Sequence, residues 1–235
     1  MIEKTLKTTD GKLRVKIPTQ LSDVTLGQMM AMQAKPQLND IEAISILSGV
    51  AAEDLYSVKN IDDFQDFGDA VLSLSYQIKY LYNSETIPKQ VTFYLPGAVK
   101  PATVKVLQRL AVEPAGAFMA ARDIIAEEIN THIKQYGEND WKENFNPSLN
   151  ACCQVLAHYF FCRVTGEKYN EYKAEEFCNQ VKNMRVTEAL PIAKHFFTCY
   201  PNLSKPKTSY WHRLLRVWKK GQVSSRLKSL NISTL

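Results

Sequence analysis

Apolar and polar residues alternate along residues 2–17, on both sides of an Asp10-Gly11 pair. Alternation with a period of two is typical of a strand with one buried face. Asp-Gly is typical of the two-residue turn that joins hairpin strands, because both central positions take positive φ. The pattern therefore predicts an antiparallel hairpin. The β-branched and aromatic run at residues 91–95 predicts a third strand added to this hairpin, since an isolated two-stranded sheet is only marginally stable.

Most of the remaining chain has apolar residues three and four positions apart, which is the spacing of amphipathic helices. Thr25 and Gln28 fit a capping box, in which each side chain satisfies a backbone N–H of the first turn. Helices are predicted from Thr25, from Asn39 to Gly49, over Ala51–Tyr56, from Asn60 to Tyr82, over Thr103–Leu110, from Pro114 to Tyr136, from Asn146-Pro147 to Val164, from Asn170 to Val181, and onward from a Thr187 cap with Pro191 in the first turn.

These elements predict a mainly α protein of the α+β class. It is a multi-helix bundle with a small N-terminal antiparallel β-sheet made of hairpin 2–17 and strand 91–95. Three parts are expected along the chain: residues 1–97 with the hairpin and first helices, residues 98–204 as a helical core packed with 1–97 as one domain, and residues 205–235 as a basic C-terminal amphipathic helix and tail. A chain of 235 residues is long enough to bury a sizeable core.

A short helix is predicted near the end of the chain, over residues 208–223. Its apolar residues recur at i, i+3, i+4 and i+7 and so form one stripe, while basic residues occupy the opposite face and the last turn. We predict that this helix binds a partner through both sets. They are Trp211, Leu214, Leu215 and Trp218 for the stripe, and Arg213, Arg216, Lys219 and Lys220 for the basic residues.

Charge is distributed unevenly along the chain. After Glu188 there is no acidic residue, and the same span holds nine lysines and arginines. Because the whole chain has a formal net charge of +5, residues 1–188 carry a net charge of −4. A mildly acidic body therefore precedes a basic C-terminal segment.

Four kinds of contact would suit such a segment. It could pack on its own body, dock in a groove of another subunit as helix-in-groove peptides do, neutralise nucleic-acid phosphates, or lie on an anionic membrane. We expect a protein partner, either a copy of the chain or another structural protein. Nucleic acid is the alternative, with Trp211 or Trp218 stacking on exposed bases. No membrane partner is expected.

His158 and Cys162 lie four residues apart on the predicted central helix, with Cys152 and Cys153 one to two turns earlier. Metal ligands use such spacing, but this helix is apolar on most faces and cysteine is among the most buried residue types. We therefore predict packed core thiols and no metal site. The five cysteines include no Cys-x-x-Cys pair, which favours free thiols in a reducing compartment.

Acidic residues give no catalytic pattern. Glu127 and Glu128 are adjacent, so their side chains point about 100° apart and do not form an acid/base pair. Asp62, Asp63, Asp66 and Asp69 form an acidic edge that could receive the basic segment of a neighbouring copy. No phosphate-binding glycine loop or known nucleophile motif occurs. The chain is therefore expected to be no enzyme, with no cofactor and no small-molecule substrate.

Several short stretches together resemble helical proteins of tailed bacteriophages, of the tail-assembly or head–tail structural kind. They are Val15-Lys-Ile-Pro18, Val24-Thr-Leu-Gly-Gln28, Asp40-Ile-Glu-Ala-Ile-Ser-Ile-Leu-Ser-Gly-Val50, Asp54-Leu55, Arg185-Val-Thr-Glu-Ala-Leu-Pro191 and Phe196-Phe197. The resemblance implies an oligomeric virion component or assembly factor that acts by protein–protein contacts. The basic C-terminus departs from the acidic chains usual for tail assembly, and favours a component that stays in the particle near portal, tail or DNA.

The distribution of apolar runs along the chain bears on the location of the protein in the cell. No apolar run follows Met1-Ile2-Glu3-Lys4, and the run Cys152–Cys162 is too short to span a bilayer. We therefore expect a protein of the virion or host cytoplasm that is not secreted and has no transmembrane segment.

Overall fold

The predicted N-terminal hairpin is present in the computed structural model, which describes residues 1–35, 37–78, 80–83, 86–137 and 145–203. Strands β1 (Ile2–Lys7) and β2 (Lys12–Ile17) pair antiparallel, with Leu6 opposite Leu13. The predicted two-residue turn at Asp10-Gly11 is wrong, because Lys7 pairs with Lys12 and four residues, 8–11, connect the strands. The apolar face of the hairpin is buried and forms part of the main core.

Four helices follow the hairpin. They are α1 (Leu26–Gln33), α2 (Asp40–Ser48), α3 (Ala52–Tyr56) and α4 (Gln65–Ile78), with 3-10 turns at Leu21–Asp23, Ile61–Phe64 and Leu81–Asn83. The predicted Thr25–Gln28 capping box is confirmed, and Asn39 forms a second one with Glu42. The helix predicted from Asn60 to Tyr82 is present with its Asn60 cap, but its predicted bounds are wrong, because its first turn is 3-10 and the α-helix ends at Ile78.

The predicted third strand exists, but its predicted pairing is wrong. Strand β3 (Gln90–Phe93) pairs antiparallel with β4 (Ala102–Lys105) in a sheet separate from the N-terminal hairpin. The helix predicted over Thr103–Leu110 is therefore wrong as well. Pairing across a short connection costs less loop-closure entropy than pairing with a hairpin far away in sequence. The hydroxyls of Thr92 and Thr103 lie 3.1 Å apart across the strands.

The second half is helical, as expected. Its elements are a 3-10 turn at Leu110–Val112, then α5 (Ala115–Tyr136), α6 (Leu149–Thr165), α7 (Glu171–Glu176), α8 (Cys178–Val181) and α9 (Val186–Cys199). The mainly α prediction is thus confirmed. The helix predicted from Asn170 to Val181 is divided in two, and Phe177 lies between the parts.

Two predicted caps are wrong. Ser148, not Asn146, caps α6, because its side chain accepts the backbone N–H of Ala151. Helix α9 begins at Val186 instead of after Thr187, and Pro191 lies beyond its first turn. The Val186 N–H donates to the carbonyl of Val24 at 2.9 Å, so a distant strand-like segment satisfies the helix start that no local side chain caps.

Helix α6 is the centre of the unit Met1–Leu203, as its apolar sequence predicts. It packs against α5, α9, α7, α8 and α1. Tyr159 and Phe160 on this helix are fully buried, and their rings meet Phe196 and Phe93 respectively. One core therefore joins residues from both predicted parts, 1–97 and 98–204.

Candidate functional site

The eight predicted partner-binding residues, Trp211, Leu214, Leu215, Trp218, Arg213, Arg216, Lys219 and Lys220, lie outside the described residues. The structure therefore bears on the function through the body, which is the unit Met1–Leu203. Two clefts on the surface of this body bring together residues that sequence reasoning did not connect.

The first cleft is an apolar groove of about 490 Å³ between α2 and α4, and we call it the α2–α4 groove. Buried Ile44 and Phe64 form part of its lining. Two large apolar residues on its border, Tyr56 and Ile61, are 65% and 76% exposed. Exposed apolar side chains beside a concave apolar surface are typical of sites where proteins bind other molecules.

Local sequence explains the position of Ile61. The Asn60 side chain accepts the backbone N–H of Asp62 at 3.2 Å and starts the 3-10 turn Ile61–Phe64. Phe64 then faces the core while Ile61 remains on the surface. The cap that the sequence predicts at Asn60 is thus also the feature that presents an apolar residue to solvent.

Gly68 leaves a notch in the α4 side of the groove. A Cβ atom added at this position would meet no other atom within 4 Å. Glycine in a helix interior is less favourable than alanine by roughly 0.5–1 kcal/mol, and neither packing nor positive φ requires it at this position. A large side chain at this position would therefore occupy space in the groove, whereas a methyl group would not fill it.

Carboxylates surround the α2–α4 groove. Asp40 and Asp62 line it directly, and Asp63 and Asp69 follow on the same 3-10 turn and helix. Among described residues, no cation lies within ion-pair distance of these four side chains, whereas Asp66 of the predicted acidic edge pairs with Lys4. The structure therefore places Asp62 of the predicted acidic edge, together with Asp40, beside an apolar groove, which the sequence pattern alone did not indicate.

The second cleft, of about 570 Å³, lies between α5, α6 and the pair α7–α8, and we call it the α5–α7 cleft. Its lining includes four carboxylates, one lysine, His158 and two thiols, so it is far more polar than the first. The charged residues are Asp123, Glu127, Glu171, Glu175 and Lys182.

His158 is nearly fully buried beside the α5–α7 cleft, and its Nδ1 lies 3.0 Å from the Tyr169 hydroxyl. Burial lowers the pKa of His158, while Glu171 and Glu175 act in the opposite direction. Among described residues, no three His, Cys, Asp or Glu side chains converge as metal ligands do. His158 thus forms a hydrogen bond with Tyr169, a residue beyond the end of α6. The sequence pattern singles out Cys162 as its neighbour instead.

All five cysteines are free, as predicted, and Cys152 and Cys153 are buried core thiols. The Cys153 Sγ donates to the carbonyl of Cys178 at 3.7 Å. A side-chain hydrogen bond between the two thiols lowers the pKa of Cys178, and the Lys182 ammonium adds to this, against the effect of burial. The sequence gives no signal for this pairing, because the residues lie on different helices.

The comparisons with known proteins identify no relative. No family model, no curated protein and no solved structure matches the chain. No helix in the described part of the chain has both the length and the apolar character needed to cross a membrane. The two clefts and the basic segment are therefore the features that bear on function.

Proposed function

We propose that this chain is a non-enzymatic structural or assembly protein that acts through protein–protein contacts, with its basic C-terminal helix docking on a neighbour. The observation that carries this proposal is the division of charge, with nine cations and no acid after Glu188 against a net charge of −4 before it. Complementary charges on two parts of one chain favour association between copies and fix its orientation.

The predicted apolar stripe of the segment supports a protein partner. Trp211, Leu214, Leu215 and Trp218 would be an exposed apolar patch unless they are covered. Aromatic residues buried at the centre of an interface contribute most of its binding energy. The body offers an apolar groove with exposed Tyr56 and Ile61, which is a suitable counterpart.

The biological setting is a further part of the proposal. The stretches that resemble tailed-phage proteins favour a virion component or assembly factor of the tail or head–tail region. A protein of this kind works by contacts with its neighbours in the particle and requires no catalytic site.

The experiment that tests the proposal compares native mass, by light scattering, for the full chain and for a chain ending at Ser204. The shortened chain keeps the compact unit Met1–Leu203 and its core. We expect a defined oligomer for the full chain, at low and at high salt, and a monomer for the shortened chain. A monomeric full chain at micromolar concentration would contradict self-assembly.

Nucleic-acid binding is the second candidate function, because the nine cations of the segment are accompanied by two tryptophans. Phosphate contacts release counterions, so affinity for DNA would fall steeply with salt. Docking of Trp and Leu side chains would not. Titration of the full chain with labelled single- and double-stranded DNA at two salt concentrations separates the candidates. Tight, salt-sensitive binding together with a monomeric full chain would favour nucleic acid.

A further inference from the structure

The α2–α4 groove carries an inference that rests on the proposed function and makes it specific. We infer that this groove receives the C-terminal segment, residues 205–235, of a second copy of the chain. Each copy then has one groove and one segment, so association joins unlike surfaces of two copies. Such contacts close into a dimer or ring when the geometry permits.

The chemistry of the groove suits an amphipathic helix. Its floor is apolar, with Ile44 and Phe64 buried and Ile41 partly buried. A volume of about 490 Å³ lies within the range of about 300–1,000 Å³ typical of pockets that enclose a ligand. An amphipathic helix binds such a groove through residues spaced i, i+3, i+4 and i+7. Trp211 and Trp218 have this spacing at the two ends of the stripe.

The charges around the groove are opposite to those of the segment. Residues 39–69, which contain the whole lining of the groove, include eight acidic residues and one lysine. The helix predicted for the segment that would occupy it has cations on the face opposite its apolar stripe, and the segment contains no acid. When the stripe faces the floor, those cations lie on the outer side of the helix, from which their long side chains can reach the rim, where Asp40 and Asp62 are exposed. The groove therefore offers an apolar floor for the stripe and carboxylates at the rim for the cations.

The α5–α7 cleft does not match equally well. It is also acidic, through Asp123, Glu127, Glu171 and Glu175, but Lys182 lies among these carboxylates. Its lining also includes His158, which is buried and already bound to Tyr169. A tryptophan side chain there would cover carboxylates and thiols, and covering charged groups without a partner is costly. This cleft serves as the comparison surface in the experiment.

The experiment uses three full-length variants that block or preserve the groove. Gly68→Trp fills the notch with an indole, where the added Cβ has open space. Gly68→Ala leaves the groove open and is the matched control. The pair Asp40→Lys and Asp62→Lys reverses the rim charge on the surface without touching the core, and so provides a second means of blocking if the tryptophan variant fails to fold.

Two further variants complete the set. Trp211→Ala with Trp218→Ala removes the anchors of the segment. Glu171→Lys with Glu175→Lys reverses charge at the α5–α7 cleft and controls for the loss of acidic residues in general. We expect self-association, measured by sedimentation velocity, to weaken at least about tenfold in Gly68→Trp, in the rim variant and in the tryptophan variant. We expect no change in Gly68→Ala or in the α5–α7 variant.

Mixing gives the decisive result. A groove-blocked copy still has an intact segment, and a copy without its tryptophans still has an open groove. Each is expected to be a monomer alone, and the two together are expected to form a one-to-one complex. A chain whose segment folded onto its own groove would give monomers for all variants and no complex.

The outcomes separate the two proposals. If the tryptophan variant loses association and both groove variants keep it, the assembly proposal stands and the groove is the wrong receiver. Loss of association in the α5–α7 variant alone would assign the segment to that cleft. A full chain that is monomeric before any substitution overturns both proposals, as does a set of monomers that fails to form the mixed complex.

Discussion

The hydroxyl of Tyr159 accepts a hydrogen bond from the backbone N–H of Leu107 and donates one to the carbonyl of the same residue, each at 2.7 Å. Tyr159 is fully buried on α6, and Leu107 lies just beyond strand β4. A single side chain thus satisfies both backbone groups of a residue outside regular structure. The contact fixes the β3–β4 sheet to the central helix.

Tyr159→Phe is expected to destabilise the protein by about 1–3 kcal/mol, because it leaves both backbone groups of Leu107 without this partner. Urea denaturation should show a lower midpoint at an unchanged slope. Tyr172→Phe is the matched control, since Tyr172 is 79% exposed, and its midpoint should equal that of the wild type. Equal midpoints for both variants would show that the hydrogen bonds contribute nothing.

Arg163→Met is expected to lower the free energy of unfolding by about 3–5 kcal/mol at neutral pH, because it leaves the buried Glu113 carboxylate without its ion-pair partner. Burial raises the pKa of Glu113, and Arg163 opposes this rise. In the variant the folded-state pKa is higher still. The folded state then binds a proton more readily than the unfolded state, so stability falls as pH rises from the unfolded pKa through the folded one.

The measurement for this pair is the free energy of unfolding at several pH values from about 4.5 to about 7.5, a range that begins near the usual glutamate pKa and extends above it. The deficit of Arg163→Met should shrink toward the acidic end. Adding Glu113→Gln should restore much of the lost stability, since an amide needs no counter-charge. A deficit independent of pH would contradict the role of the buried carboxylate.

His158 should make stability depend on pH in the opposite direction. Burial lowers its pKa in the folded state below the usual value of about 6.5. As pH falls below that value, the unfolded state gains a proton that the folded state does not, so stability is lost until the folded pKa is reached. The slope is at most about 1.4 kcal/mol per pH unit.

Replacing His158 isolates its contribution to the pH dependence of stability. His158→Gln should remove this part of the acid-induced loss, as measured by urea midpoints from about pH 7 to about pH 5, below the usual histidine pKa. His195→Gln leaves His158 in place and should retain the loss. The same slope in both variants would assign the pH dependence to other groups.

Two glycines in helices should respond in opposite ways to a larger side chain. A Cβ at Gly27 would lie 3.0 Å from Lys182 Cβ and 3.1 Å from its carbonyl oxygen, whereas one at Gly68 would meet open space. Gly27→Val is expected to destabilise by about 1–3 kcal/mol through overpacking. Gly68→Ala is expected to stabilise by about 0.5–1 kcal/mol. Thermal melts compare the two, and a stabilised Gly27→Val would contradict the close approach.

Local hydrogen bonds explain which elements the sequence predicts well. The hairpin loop at residues 8–11 and the capping box at Thr25 depend on residues within four positions of one another, so a short window of sequence predicts where they lie, although not the length of the loop. The start of α9 depends instead on the Val24 carbonyl, and strand β4 on its pairing with β3. No periodicity within residues 102–110 could reveal that partner.

The candidate site was only partly predictable for the same reason. The acidic edge is visible as a run of aspartates, because charge is a property of the sequence itself. The groove beside it requires the side-by-side packing of α2 and α4, and Gly68 lies in its lining next to open space. In the sequence, that glycine only weakens a helix. In the structure it borders a surface cleft.

The first turn of α1 is completed from the far end of the body. The Leu26 N–H donates to the carbonyl of Met184 and the Gly27 N–H donates to the carbonyl of Lys182, both at 2.8 Å. During translation, these carbonyls leave the ribosome long after α1 does. The first turn of α1 in a nascent chain must therefore wait for nearly the whole body before these hydrogen bonds form, and contacts of such high sequence separation slow folding. A chain cut in two between these segments would leave neither piece complete.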